Sequence, residues 1–311
     1  GAAIHDWRTT PARPPRQRLS AFGTAPGAIH ATRSAPGSSW DNAGMAANSR
    51  LTVADLRASK GTRQYTDVYV SSVDEAAAAA DGGIDIITIQ DSQMSTEMRS
   101  AAGNAFIVVG LDYGQVITTD DYLRAAFSAI NNGADACWCA ASVQTIERLA
   151  AEGIPVVGHV GLIPPRRTWT GGFKAVGKTA TTAMEVWSQT AALVDAGAFA
   201  AEIEVVPEPV ATAISAKTSL VMISMGSGPN CDAQYLFSSD VLGTNTGHVP
   251  RHAKQYADLR TELDRIQEMR VAAYAAFVDD VASGGFPDAA RLVGIDPGEL
   301  ATFASALAAE Q

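Results

Sequence analysis

Three short polar clusters in this chain stand where apolar runs stop, and their residue types could do chemistry. Asp91-Ser92 follows the run Ile84–Ile89, His159 lies in Gly158-His-Val-Gly161, and Glu202 and Glu204 fall two residues apart in Ala200-Ala-Glu-Ile-Glu-Val205. On a strand, positions i and i+2 share a face, so both glutamates point the same way. A carboxylate in a closed, desolvated site has a raised pKa and is the better base near neutral pH. Each cluster also has a plain structural use. Asp and Ser after a strand commonly cap a helix, a histidine at a strand end is often hydrogen-bonded architecture, and a buried carboxylate can brace a neighbouring loop.

Other reactive types carry less. Cys137, Cys139 and Cys231 are the only cysteines, too few and too irregular for a disulfide framework, and Cys137-Trp-Cys139 lacks the second pair of a structural zinc site. Small buried residues in a reducing compartment are the default reading. The loop Gly226-Ser-Gly-Pro-Asn-Cys-Asp-Ala-Gln234 is Gly-rich but has neither the Walker lysine nor the spacing of a dinucleotide fingerprint.

Elements must position these groups. From Thr66 the chain alternates short apolar runs with Ala-rich amphipathic stretches, which predicts parallel strands with helical crossovers. Strands are expected over 67–70, 84–89, 106–109, 134–139, 155–157, 200–205 and 220–223, each apolar enough to be buried on both faces. An eighth is placed near Asp240–Leu242. Helices are predicted over 52–58, with Thr52 as cap and Asp55 in the first turn, and over 188–196, 250–275 and 297–309. Runs that end at Gly and then present polar groups suit the C-terminal mouth of a parallel β/α barrel. The fold class is therefore α/β, a TIM (β/α)8 barrel over residues 61–311 with a C-terminal helical region, preceded by an extension at 1–60.

That extension differs in composition. Pro, Ser, Arg, Ala and Gly dominate it, and Asp6 is the only acid before Asp41. It reads either as an Arg-rich, acid-poor targeting segment or as an arm that wraps a neighbouring subunit. The location is accordingly cytoplasmic, or organellar if a transit segment is present. Across 311 residues, 47% are hydrophobic and 18% charged, with a net charge of -10. No apolar run reaches the length of a membrane span, and the acidic balance argues against nucleic acid as partner.

Two blocks identify relatives. Gly153-Ile-Pro-Val-Val-Gly-His-Val-Gly-Leu-Ile-Pro164 and Met225-Gly-Ser-Gly-Pro-Asn-Cys-Asp-Ala-Gln234, with Gly171-Gly-Phe-Lys-Ala-Val-Gly177 and Ile203-Glu-Val-Val-Pro207 between them, resemble ketopantoate hydroxymethyltransferase in order and spacing. The resemblance is strong over 154–242, fainter over 65–139 and absent before Gly61.

The resemblance implies a role for each polar cluster. Asp91 would be a magnesium ligand and Ser92 would help to bind a 2-oxo acid. Glu204 would be the general base that removes the C3 proton, His159 would lie against the substrate, and the loop containing Ser227 would shape the folate side of the pocket. A magnesium ion would stabilise the enolate, and methylenetetrahydrofolate would bring the one-carbon unit. A homo-oligomer is implied as well.

Departures from the family pattern fall on the metal and the carboxylate. An Asp normally found in Ala-Asp-Leu-Pro stands one residue late here, as Asp112 in Gly110-Leu-Asp-Tyr113. In Asp135-Ala-Cys-Trp-Cys-Ala-Ala-Ser142, Trp138 stands for the lysine that holds the substrate carboxylate and Ala140 for a metal-binding glutamate. Trp138 would fill the pocket or offer an aromatic face to another substrate. Three functions are consistent with this: Glu204-assisted enolisation and one-carbon transfer on a 2-oxo acid, with Asp91 and Asp112 at the metal; a repurposed C–C lyase or aldolase with an altered metal site; or a non-catalytic binding barrel.

Overall fold

The computed structural model describes residues 50–112 and 114–310; the extension before residue 50, and Tyr113, lie outside the described residues. By its contacts the chain forms two compact units. The first runs to Val241 and includes Asn245–Lys254; the second comprises Leu242–Thr244 and, of the described residues, 255–310.

The first unit is a closed eight-stranded barrel in sequential order, β1 to β8, all pairs parallel. Its elements are α1 (Val53–Ala58), β1 (Tyr65–Tyr69), α2 (Val73–Asp81), β2 (Ile86–Gln90), α3 (Thr96–Ala101), β3 (Phe106–Gly110), α4 (Thr119–Asn131), β4 (Ala136–Trp138), α5 (Val143–Ala151), β5 (Val156–Gly161), α6 (Arg167–Thr170), α7 (Ala180–Asp195), β6 (Ala200–Glu204), α8 (Glu208–Lys217), β7 (Val221–Met225), β8 (Ala233–Phe237) and α9 (Ser238–Val241). The second unit holds α10 (Leu259–Ser283) and α11 (Pro297–Ala309).

Local sequence starts these helices cleanly. Thr52 and Asp55 form a capping box at α1, as the sequence predicts, and Thr118 with Asp121 do the same at α4. Ser72, Ser95 and Ser142 each accept a backbone N–H at the starts of α2, α3 and α5, satisfying donors that the helix itself cannot.

Alternation along each strand divides the core in two. Ile87, Ile107, Val109, Val156, Ala201, Ile203 and Met222 face outward against the helices. Ile86, Phe106, Val108, Ala136, Val157, Ala200, Val221 and Tyr235 fill the interior. At the strands' N-terminal end, Leu56 of α1 joins Tyr65, Phe106 and Phe199 and plugs the barrel. Asp232 fixes this end: it accepts from Lys60 Nζ at 2.8 Å and from the backbone N–H groups of Gly61 at 2.9 Å and Met222 at 2.7 Å.

Seven expected strands are present, with ends shifted by a few residues. The eighth is a correction. Residues 238–241 form the short helix α9, and β8 lies just before it, at Ala233–Phe237, paired with β1 from Tyr65↔Ala233 to Tyr69↔Phe237. Strand β5 also continues past its expected end at Val157, through His159 to Gly161. The stop signal read from Gly158 is a packing signal instead: a Cβ there would sit 2.6 Å from Leu193 Cδ1 on α7. Helix α7 begins at Ala180, eight residues before the expected start, and α10 spans Leu259–Ser283, displaced from the expected 250–275, whereas α11 matches its expected bounds.

Candidate active site at the barrel mouth

Interior positions near the strands' C-terminal ends are polar, and they converge. From β5 comes His159, from β6 Glu202 and Glu204, from β4 Trp138, from β1 Asp67, from β2 Thr88 and from β8 Tyr235. His159, Glu202 and Glu204 are all buried. The His159 Nε2 atom lies 3.1 Å from Glu204 Oε2 and 3.9 Å from Glu202 Oε1, yet neither ring nitrogen makes a hydrogen bond of good geometry to a described residue. Trp138 donates its indole N–H to Glu202 Oε2 at 2.7 Å, and its ring packs on the His159 ring with centroids 5.2 Å apart. Asp67 accepts from Thr88 Oγ1 at 2.9 Å.

Burial sets the ionisation of this cluster. It pushes the Glu204 carboxyl up to about 8. Glu202 is raised to about 7, by burial first, against the opposing influence of His159. The His159 imidazole is held below its ordinary value by burial, opposed by the Glu202 charge. Asp67 lies well above the usual carboxylate range for the same reason, with Thr88 pulling it back, and the Tyr235 phenol is likewise raised by burial and then by the Glu202 and Asp67 charges. The result is a neutral imidazole beside carboxyls that exchange protons near neutral pH, which is the condition a general base requires.

Geometry that brings Glu204 to the mouth is unusual. Val205, the next residue, has φ of 49°, a left-handed conformation that costs a β-branched residue about 1–3 kcal/mol. Its backbone is held on both sides, the N–H donating to Met225 O and the carbonyl accepting from Val176 N. Across from it Gly161, at φ of 87°, allows the two strand ends to close up: a Cβ there would lie 2.4 Å from the Glu204 carbonyl oxygen.

The structure thus brings together Glu204, His159 and Trp138. It places Asp91 and Asp112 at the ends of β2 and β3, both half-buried, and close enough for the Asp91 charge to act on Asp112, whose carboxyl is raised by burial and then by that charge. Asp91 begins a 3-10 turn, Asp91–Gln93, and accepts from the Ser92 N–H at 2.7 Å; α3 is capped by Ser95, so neither residue is a helix cap. Ser92 is exposed on this turn. Ser227, a candidate substrate contact, braces the backbone. It is 1% exposed, its hydroxyl donates to Ile203 O at 2.8 Å, and it accepts from Val206 N at 3.0 Å. That bridge fixes the β6 exit and uses the hydroxyl proton there rather than on a ligand. Cys231 is buried with its thiol raised to about 11, so at neutral pH it is no nucleophile.

Asp67, Thr88 and Tyr235 are interior groups that sequence reading missed. The available signal was the period-two run Tyr65, Asp67, Tyr69, which puts a carboxylate on the same face as two aromatics. His159, Glu202 and Glu204 also offer one ligand atom each, all within 4.8 Å of one another, so this trio could hold a metal ion.

Comparison with known proteins agrees with the geometry. A family model described as ketopantoate hydroxymethyltransferase matches residues 88–289. The 3-methyl-2-oxobutanoate hydroxymethyltransferase 1 of Methylibium petroleiphilum is 31% identical over 284 residues, covering 82% of this chain and 92% of its own. The 3-methyl-2-oxobutanoate hydroxymethyltransferase of Hyperthermus butylicus is 34% identical over 281 residues, covering 82% and 94%, and that of Nitratidesulfovibrio vulgaris strain DP4 is 30% identical over 283 residues, covering 83% and 90%. With a closed parallel barrel, buried carboxylates at its mouth and these matches over most of its length, the chain belongs to the ketopantoate hydroxymethyltransferase family of transferases.

Proposed function

We propose that this chain enolises a 2-oxo acid of the 3-methyl-2-oxobutanoate type and joins its C3 carbon to a one-carbon unit, with Glu204 as the base. The observation that carries this reading is the Glu204 carboxyl, buried at the end of β6, raised to about 8 and 3.1 Å from a neutral imidazole. In its ionised form Glu204 takes the C3 proton; water hydrolyses the two C–N bonds of methylenetetrahydrofolate, releasing tetrahydrofolate and formaldehyde, and the electron pair left at C3 attacks the formaldehyde carbon while its C=O pair becomes the hydroxyl by taking up a proton. His159, 3.1 Å from Glu204, orients the substrate oxygen. Trp138 closes the interior side and keeps Glu202 occupied through its indole N–H.

Asp91 and Asp112 fit a magnesium ion. Two half-buried carboxylates share a space in which one already raises the other's pKa, and magnesium is commonly held by one or two carboxylates with water filling the rest. When bound there, the ion supplies Lewis-acid stabilisation of the developing oxyanion. Binding at His159, Glu202 and Glu204 would instead occupy the base, so the cation is assigned to the aspartates. Residues 1–60 are taken as an extension, residues 61–311 as the barrel with a C-terminal helical region, and the assembly as a homo-oligomer.

The test is formation of the hydroxymethylated product from 3-methyl-2-oxobutanoate, methylenetetrahydrofolate and magnesium, compared between wild type and Glu204→Gln. Product from the wild type and at least a hundredfold less from the variant is expected, in line with the usual contribution of a positioned base. A second reading, a C–C lyase on a less anionic substrate, is favoured by the Trp138–Glu202 pair. Cleavage of hydroxylated acids with no synthesis of product would select it.

A further inference from the structure

We infer that Arg166 is the carboxylate anchor of this site, its guanidinium binding the carboxylate of the 2-oxo acid. This role rests on the function proposed for Glu204 and adds a specificity-determining residue to it.

An anionic substrate meets an unfavourable interior here. Asp67, Glu202 and Glu204 are all buried among neutral groups, and in a low dielectric any ionised member of this set repels a second carboxylate. A cation from the chain itself offsets that repulsion, beside the magnesium ion proposed for Asp91 and Asp112. Arg166 ends the 3-10 turn Pro164–Arg166 that follows β5. From there its Nη2 reaches across to the loop after β4 and donates to Ala140 O at 2.6 Å and Ala141 O at 3.3 Å.

Two carbonyls hold the half-buried side chain in place through one nitrogen. A guanidinium has five donors; Nη2 is taken by these two carbonyls, and among the described residues Nε and Nη1 have no acceptor, which leaves them to donate charge-assisted hydrogen bonds to a carboxylate. Arg166 also lines an open cleft of about 390 Å3 with Ile163, Trp169, Thr170, Gln189 and Gly161, the residue that ends β5 and pairs with Glu204 in the barrel. Its charge reaches the interior, acting on both His159 and Cys139. The neighbouring Arg167 is directed elsewhere, over the Phe173 ring and toward Pro164 O.

Binding, measured without turnover, tests this directly. Titration calorimetry of wild type, Arg166→Gln and Arg166→Lys with 3-methyl-2-oxobutanoate and with its methyl ester separates charge recognition from architecture. Wild type should prefer the acid. Arg166→Gln should weaken the acid at least tenfold, the usual loss for a charge-assisted hydrogen bond, and leave the ester within about twofold; Arg166→Lys should retain part of the acid preference. Equal losses for acid and ester, no loss for either, or a wild type indifferent to the charge would overturn the proposal. Should Arg166→Gln fail to fold, the acid-to-ester ratio in Arg166→Lys carries the same test. Arg166-dependent acid binding without catalysis would sink Glu204 as base and leave the anchor standing.

Discussion

Glu204 is a buried group and, in the proposed function, the base, and the two demands oppose each other along the pH axis. Its folded pKa of about 8 stands above the ordinary 4.5, so it contributes stability that is fully present below about 4.5 and is lost as pH rises through about 8. Glu202, raised to about 7, works in the same direction over a narrower window. Melting temperature should therefore fall between pH 5 and pH 8 while the rate of proton abstraction rises, and Glu204→Gln should flatten much of the first trend and abolish the second. Circular-dichroism melts and rate profiles over that range check both. Residue types made Glu204 and His159 visible as candidates, and the family resemblance added Trp138. They did not reveal Arg166, Asp67 or Tyr235, because a charged or aromatic residue says nothing of where it points until the register of strands β1 and β8 and the turn after β5 are fixed.

Strands β5 and β6 carry the site, and two small groups at their exits hold it to shape. Gly161→Ala would set a Cβ 2.4 Å from the Glu204 carbonyl oxygen at a φ of 87°; a left-handed non-glycine alone costs about 1–3 kcal/mol. The variant should melt lower and lose activity out of proportion to its stability, since the clash bears on the backbone of the base. Ser227→Ala strips the bridge between Ile203 O and Val206 N and leaves a buried donor unpaired, a loss of about 1–3 kcal/mol by urea denaturation. Element reading from the sequence succeeded where apolar runs were dense and faltered where packing overrode the local signal. Gly158 looks like a strand end but makes room for Leu193. The polar Asp232 and Gln234 disguise β8, although Asp232 belongs to the barrel floor and Gln234 is an outward position that donates to Gly228 O.

At the scale of the whole molecule, a closed barrel matters because it holds eight strand ends rigidly around one small volume, so groups far apart in sequence act together. Asp91 and Asp112, after β2 and β3, come within electrostatic reach of each other in this way. If they hold magnesium, added ion should raise the melting temperature of the wild type, by about 2.7 kcal/mol of stability at a concentration a hundredfold above its dissociation constant; Asp91→Asn with Asp112→Asn should remove the response. Parallel strands with helical crossovers were legible from the alternation of elements, and the barrel from the strand-end pattern and the family resemblance, whereas the contacts that place the second unit, Leu242–Thr244 with residues 255–310, in a compact group of its own were not, because helical periodicity does not say which helices pack together. The most direct test of Glu204 as the base needs no one-carbon donor: proton NMR of 3-methyl-2-oxobutanoate with the protein in deuterated water, with and without magnesium. Loss of the C3 proton signal that depends on the ion and disappears in Glu204→Gln is the expected result. A rate no greater than that of buffer, or unchanged exchange in the variant, would contradict it.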